Sequence, residues 1–145
     1  MGRAACRGLA GALVLAIGLS ACAERPIPLS LYSRIGGQAA IVAVVDQLAA
    51  TIVADRRISH FFATPDMAAF KAGLVDQLCM MTGGPCRYAG PDMRAVHAGR
   101  HIGDADFDAF IADLVAALDH FNVPPGEKEE LLGLLAPMRR DIVGA

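Results

Sequence analysis

Two of the four histidines in the chain, His97 and His101, lie four residues apart in the stretch DMRAVHAGRHIG. On a continuous helix this spacing places both imidazoles on one face, where they could hold a metal ion between them. Gly99 and Gly103 interrupt the stretch, and glycine disfavours the interior of a helix. Three interpretations follow: a two-histidine metal site, one ligating histidine beside an unrelated one, or a surface turn.

Little other chemistry is visible in the sequence. No Ser-His-Asp or paired-carboxylate arrangement stands out, and His60 and His120 lie at polar positions with no assigned role. The aspartates of GDADFDAFIADL alternate with residues needed for packing, which predicts a capped helix with a solvated side rather than a calcium loop. The stretch around His97 is therefore the main candidate site.

The first residues have the pattern of an export signal. Arg3 and Arg7 precede the uncharged stretch GLAGALVLAIGL, which is too short to span a bilayer comfortably. It ends in LSAC, which resembles the lipobox of bacterial lipoproteins, where the signal is cleaved before an acylated cysteine. We expect a signal peptide over 1–21, the acylated Cys22 and a tether over 22–30, and one domain over 31–145. An ordinary secretory signal is the alternative.

These expectations place the mature protein outside the cytoplasm, anchored by lipid to a bacterial membrane and facing the periplasm or the cell exterior. Removal of Arg3 and Arg7 leaves 11 basic residues against 15 acidic ones, a net charge of −4. With no basic stripe in the sequence, this charge argues against nucleic acid as a partner.

Four cysteines reduce to one pair in the mature chain. Cys6 is lost with the signal and Cys22 is the acylation site, which leaves Cys79 and Cys86. The intervening MMTGGP can turn the chain back, and an oxidising compartment favours a disulfide. Two free buried thiols are the alternative, and the spacing is not that of a metal site.

Apolar residues recur at helical spacing along the domain, so we predict an all-α fold. The long helices are expected over 38–54, over 65–81 with Thr64 as cap, after a cap at Asp104, and over 127–143 with a kink at Pro137. Short helical segments are expected in DRRISHFF and in PDMRAVHA, the second starting at Pro91.

Seven motifs follow one another along the predicted domain, and their order is more specific than any one of them: LYSRIGG, VVDQL, ADRRISHFF, FKAGLVDQLC, GGPCRYAG, DMRAVHAGRHI and FDAFIADLVAALD. The series, from about Leu31 to the end of the chain, resembles the truncated haemoglobins of group I. Cys79 and Cys86 further resemble those of a branch of exported, cysteine-containing members. The resemblance implies a two-over-two helical sandwich that holds haem b, with the first globin helix nearly lost.

The resemblance also assigns roles to single residues. His97 matches the proximal histidine that ligates the iron, and Phe62 matches the aromatic residue that packs against the porphyrin. His101 lies where many relatives carry glycine, so we expect a residue at the rim of the site and not a second ligand. The apolar walls of a haem cleft are expected from Phe70, Leu74, Leu78, Met93, Val96 and Ile102.

Two positions depart from the family pattern. Ala49 lies where many members place a tyrosine that hydrogen-bonds bound oxygen, and Leu74 lies where an assisting glutamine is frequent. A hydrogen bond to such a charged group contributes roughly 1.5–3 kcal/mol, so we expect faster oxygen dissociation than in members with both donors. Gln77 partly substitutes if it points inward; a solvent-facing side chain is the alternative.

The sequence leaves alternatives for the roles of the residues at the edge of the cleft and for the function of the protein. Lys71, Tyr88 and Arg100 are candidates for pairing with the haem propionates, or are ordinary surface residues. The favoured function is reversible binding of a diatomic gas (O2, NO or CO) by a membrane-tethered globin. A haem enzyme that removes NO or peroxide, with an unidentified electron donor, and a haem-free structural domain are the two alternatives.

Overall fold

The computed structural model describes residues 28–63 and 66–145. The seven α-helices in this part of the chain are α1 (Leu31–Arg34), α2 (Gly37–Ala54), α3 (Met67–Met81), α4 (Met93–His97), α5 (Asp104–His120), α6 (Pro125–Leu135) and α7 (Arg139–Ile142). Two 3-10 turns, Ser59–Phe62 and Ala136–Met138, complete the regular structure. Since these residues contain no strand, the prediction of an all-α fold is confirmed.

Helix α2 is the centre of the fold and packs against both α3 and α5, while α6 packs against α1 and α5. The buried side of α2 carries apolar residues at helical spacing, as the sequence pattern predicts. The core is built from Leu31, Ile41, Val44, Val45, Leu48, Ile52, Ile58, Leu78, Cys79, Ala109, Leu114, Ala117, Leu118, Val123, Leu131 and Leu135. The two helix pairs α2/α3 and α5/α6 therefore enclose one apolar interior.

Within the described residues, α2 is also the one helix long and apolar enough to cross a membrane by length and composition alone. Core helices of soluble domains meet the same criterion, and six residues of α2 are buried here. A turn with positive φ at Gly36 (104°) and Gly37 (70°) separates α1 from α2. Glycine adopts this left-handed conformation without steric cost, which explains the pair in LYSRIGG.

The starts of five helices differ from the sequence prediction, of which α2 and α6 begin one and two residues earlier than predicted. Helix α3 begins at Met67, and the Asp66 carboxylate accepts hydrogen bonds from the backbone N–H groups of Ala68 and Ala69. Thr64 and Pro65, predicted to start this helix, lie outside the described residues. Helix α4 begins at Met93 with Asp92 as its cap, so the predicted start at Pro91 is two residues early.

At α5 the predicted cap, Asp104, is instead the first helical residue, after Gly103. The Asp106 carboxylate accepts a hydrogen bond from the Gly103 backbone N–H at 2.9 Å. The start of α5 is thus capped by an aspartate within its first turn instead of one before it. Carboxylates at both positions can accept hydrogen bonds from free backbone N–H groups at a helix start.

The predicted C-terminal helix is divided. Helix α6 ends at Leu135, a 3-10 turn contains Pro137, and α7 resumes at Arg139. Because proline lacks a backbone N–H and its ring clashes with the preceding turn, a change of helix type at this residue is expected. The predicted signal peptide over 1–21 and the acylated Cys22 lie outside the described residues.

Candidate functional site

His97 is the last residue of α4, a helix of only five residues. The Asp92 carboxylate caps the helix by accepting a hydrogen bond from the Ala95 N–H at 2.7 Å. The His97 Nδ1 atom lies 2.7 Å from the Met93 backbone oxygen. Since a carbonyl oxygen only accepts hydrogen bonds, Nδ1 carries the proton and Nε2 keeps its lone pair. The imidazole is therefore oriented with a ligating nitrogen directed away from its own helix.

The protonation state of His97 agrees with this role. Burial lowers its pKa below the ordinary value, and the nearby Arg100 guanidinium lowers it further, while the hydrogen bond to Met93 opposes the shift. The net lowering favours the neutral imidazole at neutral pH, which is the form that ligates a metal.

His101 does not share a helical face with His97. Helix α4 ends at His97, Gly99 has φ of +71°, and His101 has φ of +55° and an exposed side chain. The chain has thus turned out of the helix before it reaches His101, and a two-histidine metal site built on a continuous helix is excluded. Within residues 28–63 and 66–145, no group of three or more His, Cys, Asp or Glu side chains is placed to hold a metal ion.

The chain beyond α4 is held by the C-terminal residues. The Gly99 N–H donates to the backbone oxygen of Ala145, and the Gly144 N–H donates to that of Ile102, both at 3.0 Å. Helix α7 packs against α4 in the same region. The C-terminal segment thereby fixes the path of the chain on both sides of His101.

Apolar side chains that are only partly buried accompany His97 on three elements. The rings of Phe62, in the first 3-10 turn, and Phe70, on α3, meet edge to face with centroids 5.0 Å apart. The other partly buried apolar residues that the sequence predicts for this site are Leu74, Met93, Val96 and Ile102. An apolar ligand between α3 and α4 would cover such side chains.

Leu78 belongs to a different environment from this set. It is fully enclosed and lines a small apolar pocket in the core, together with Ile41 and Val44 of α2 and Leu118 of α5. The structure therefore places Leu78 behind the site, in the interior that supports α3.

The positions expected above the ligand carry no polar group. Ala49 is buried on α2, and Leu74 is partly buried on α3. One turn before Ala49, Asp46 accepts a hydrogen bond from the Lys71 ammonium at 2.8 Å, which links the exposed sides of α2 and α3. The two positions where the resemblance predicts hydrogen-bond donors in other members are thus apolar in this chain.

Gln77 is buried, so the solvent-facing alternative is wrong. Its side-chain nitrogen lies 3.2 Å from the Met93 Sδ atom and 3.5 Å from the Met138 Sδ atom. The amide therefore points to α4 and to the second 3-10 turn, and not towards Ala49 and Leu74. The sequence left open whether the Gln77 side chain is buried or exposed, and it did not indicate this direction.

The three propionate candidates already have partners within the fold. The Lys71 ammonium pairs with Asp46, the Tyr88 hydroxyl donates to the Pro91 oxygen at 2.8 Å, and the Arg100 Nε donates to the Val96 oxygen at 3.0 Å. Arg100 lies next to α4 and contributes to the field at His97. Their role toward a cofactor stays a prediction.

Cys79 and Cys86 are joined by a disulfide with their Cα atoms 5.7 Å apart. The bond links the end of α3 to the segment that leads to α4. A side chain at Gly84 would place its Cβ 2.6 Å from the Cys79 sulfur and 2.6 Å from the Tyr32 ring, so only glycine fits there.

This all-α fold, with a partly buried histidine at the end of a short helix and partly buried apolar side chains on α3, is that of a globin. The chain belongs to the bacterial-like globin family, whose model matches residues 30–143. It is 36% identical over 115 residues to the group 1 truncated hemoglobin GlbN of Mycolicibacterium paratuberculosis, covering 79% of this chain and 85% of that protein. It is 32% identical over 117 residues to the group 1 truncated hemoglobin of Tetrahymena pyriformis, covering 81% of this chain and 97% of that protein.

Solved structures agree with the sequence relatives. The Fe(III) form of the Tetrahymena pyriformis truncated hemoglobin superposes with a TM-score of 0.78 at 32% identity, covering 81% of this chain and all of that one. The 2/2 hemoglobin of Synechococcus sp. PCC 7002, in the cyanomet state with covalently attached heme, superposes with a TM-score of 0.76 at 31% identity over the same share of this chain and all of its own. The predicted truncated-globin fold is confirmed.

Proposed function

We propose that this protein is a haem b globin that reversibly binds a diatomic gas, with His97 as the protein ligand of the iron. The observation that carries the proposal is the hydrogen bond between His97 Nδ1 and the Met93 oxygen, which leaves Nε2 free on a neutral ring. The same tautomer and orientation are what a haem iron requires of a histidine ligand.

The remaining side chains fit the cofactor. Phe62, Phe70 and Val96 are apolar and partly buried, as expected of residues whose burial is completed by a flat apolar molecule. Bound haem supplies an iron atom whose open coordination position takes up a gas. Family membership and the heme-containing relative from Synechococcus support this assignment.

The residues expected above the ligand, Ala49 and Leu74, favour reversible binding of a gas over catalytic turnover. Ala49 and Leu74 offer no hydrogen-bond donor to stabilise charge on a bound ligand, which an enzyme acting on oxygen or peroxide would need. Apolar surroundings penalise a polarised ligand such as O2 more than CO or NO, because the missing hydrogen bond matters most where charge develops.

The test is the absorption spectrum of the domain from residue 23 onward, purified with haem supplied, beside His97→Ala and the control His101→Ala. We expect a Soret band in the parent that shifts with carbon monoxide, and the same band in His101→Ala, whose side chain is exposed. His97→Ala should bind haem weakly or with an altered spectrum. A parent without a Soret band would contradict the proposal and leave a haem-free helical domain.

We also propose that the globin is exported and anchored to a bacterial membrane through acyl chains on Cys22. The basic and apolar regions before the LSAC stretch support the assignment. Metabolic labelling with an alkyne fatty acid in a bacterial host should mark the full-length protein and not Cys22→Ser, and only the parent should sediment with membranes. Labelling of both proteins, or release of the parent as a soluble domain, would overturn the anchor without affecting the haem site.

A further inference from the structure

Gln77 has an unusual environment for an amide. It is one of three buried polar or charged residues in the described part of the chain, with 8% of its surface exposed. Its side-chain N–H groups face two thioether sulfur atoms, Met93 Sδ at 3.2 Å and Met138 Sδ at 3.5 Å. Thioether sulfur is a weak acceptor, so burial of this amide costs more free energy than these contacts return.

The residue that receives the shorter contact is the one that orients His97. The Met93 side chain meets Gln77, and the Met93 backbone oxygen accepts the hydrogen bond from His97 Nδ1. One residue thus joins the long helix α3 to the protonated Nδ1 atom of His97 on α4, the atom that sets the orientation of the ring. No other side-chain hydrogen bond in the described part of the chain connects these two helices.

Helix α4 needs such external support. A helix of five residues is far below the length at which its own hydrogen bonds make it stable, so its position depends on its neighbours. Helix α7 and the C-terminal backbone hold it, including the hydrogen bond from Gly99 to Ala145. From α3, Gln77 adds a directional contact to Met93.

We propose that Gln77 is a positioning residue that holds Met93, and through it the imidazole of His97, at the angle and depth required for iron ligation. This inference rests on the proposed haem function. A positioning role explains why a polar side chain occupies a buried position of α3, where leucine would pack at a lower cost in free energy. The amide makes a directional contact, which an apolar side chain of similar size does not.

The test compares Gln77→Leu with two other variants of the domain. Gln77→Leu keeps the bulk and removes both N–H donors. Leu78→Ala, at the next position of α3, damages the core, where Leu78 lines an apolar pocket with residues of α2 and α5. Met93→Leu removes the sulfur and keeps the backbone oxygen that orients His97. Haem transfer to an excess of an acceptor globin, the iron–histidine stretching band in resonance Raman spectra, and urea unfolding of the haem-free domain are measured for each.

For Gln77→Leu we expect haem loss about two- to threefold faster, the lower end for one hydrogen bond because thioether sulfur is a weak acceptor, together with a shifted iron–histidine band. The urea midpoint of the haem-free domain should be unchanged or higher, because a buried amide with weak partners is replaced by leucine. Leu78→Ala should lower the midpoint without moving the band. In a Met93→Leu background, Gln77→Leu should change haem loss less than it does alone.

Three results would overturn the inference. Unchanged haem loss and an unmoved band in Gln77→Leu would show that the contact positions nothing. Faster haem loss with a lower urea midpoint and an unmoved band would show a structural role only. A parent domain without a Soret band would remove the haem function itself, a failure that the parent spectrum reveals before any variant is compared.

Discussion

At the scale of single residues, the two histidines four apart in the sequence have different surroundings. His97 closes a helix, and its ring is oriented by the Met93 oxygen and partly buried. His101 lies beyond the helix end in the left-handed region, with φ of +55°. This conformation gives the physical reason why glycine suits the position, since any Cβ meets steric strain there.

His101→Gly is therefore expected to stabilise the domain by about 0.5–1 kcal/mol, because relief of the left-handed strain outweighs the added freedom of the unfolded chain. Urea unfolding at equilibrium measures the change. The matched control is Ala98→Gly, at a residue with φ of −54°, where glycine should destabilise. Equal effects at both positions would contradict strain at His101.

A second prediction concerns the missing distal donor. Ala49→Tyr is expected to slow oxygen dissociation by one to two orders of magnitude, since a hydroxyl hydrogen bond to a polarised ligand contributes roughly 1.5–3 kcal/mol. Stopped-flow displacement of oxygen by carbon monoxide gives the rate. Ala49→Phe supplies the same ring without the hydroxyl, and should leave the oxygen rate close to that of the parent; slowing by both variants would indicate a steric effect instead.

At the scale of elements, the site depends on how two helices of different kinds are joined. Helix α3 is long and anchored in the core, whereas α4 is short and supported by its contacts. The connecting segment, residues 82–92, is tied back by the bond between Cys79 and Cys86. The disulfide shortens the unrestrained part of this connection, which restricts the position of α4 in the folded protein. It also lowers the conformational entropy of the unfolded chain.

Reduction of this disulfide is expected to cost about 2–3 kcal/mol of unfolding free energy, the chain-entropy value for a loop of this size. In the domain from residue 23 onward these are the only two cysteines, so dithiothreitol acts on nothing else. The urea midpoint of the parent should fall on reduction to that of Cys79→Ala/Cys86→Ser. A midpoint insensitive to the reductant, or two free thiols found by mass spectrometry of the alkylated parent, would refute the prediction.

At the scale of the whole molecule, a buried acid lies where the end of α2 meets α5. The Arg57 guanidinium pairs with Asp55 at 2.6 Å and reaches Asp113 at 3.7 Å. One oxygen of Asp113 is buried without a hydrogen-bond partner in the described part of the chain. Burial and the neighbouring Asp55 raise the pKa of Asp113, while hydrogen bonds from Arg57 lower the pKa of Asp55.

The raised pKa of Asp113 has a definite sign for stability. Between its unfolded and its folded pKa, the folded state binds more protons, so the contribution of Asp113 to stability falls as pH rises through this window. Asp113→Asn, which mimics the protonated form, should match the parent at the acid end of the window and exceed it by about 1 kcal/mol above the window.

Urea unfolding at a series of pH values from 4 to 8 measures this difference. Asp119→Asn, at an exposed carboxylate of the same helix, is the control and should show no such pH-dependent gain. A difference between Asp113→Asn and the parent that does not change with pH would contradict a proton held at Asp113.

The sequence by itself determined the fold class, the family and the identity of the candidate ligand His97. Apolar spacing, caps and glycine turns act over a few residues, so the helices could be predicted with small errors at their starts. The ordered motifs then indicated the globin before any packing was known, as the family model matching residues 30–143 confirms.

Only the tertiary structure decided the direction of Gln77, the enclosure of Leu78 and the partner of Lys71. Each depends on contacts between segments distant in sequence, such as Gln77 with Met138 or Lys71 with Asp46. The 3.6-residue pattern indicates which side of a helix is apolar, but the docking of α3, α4 and the C-terminal segment determines what a side chain there meets. Helix α4 is the extreme case, because a five-residue helix takes its position almost entirely from its neighbours.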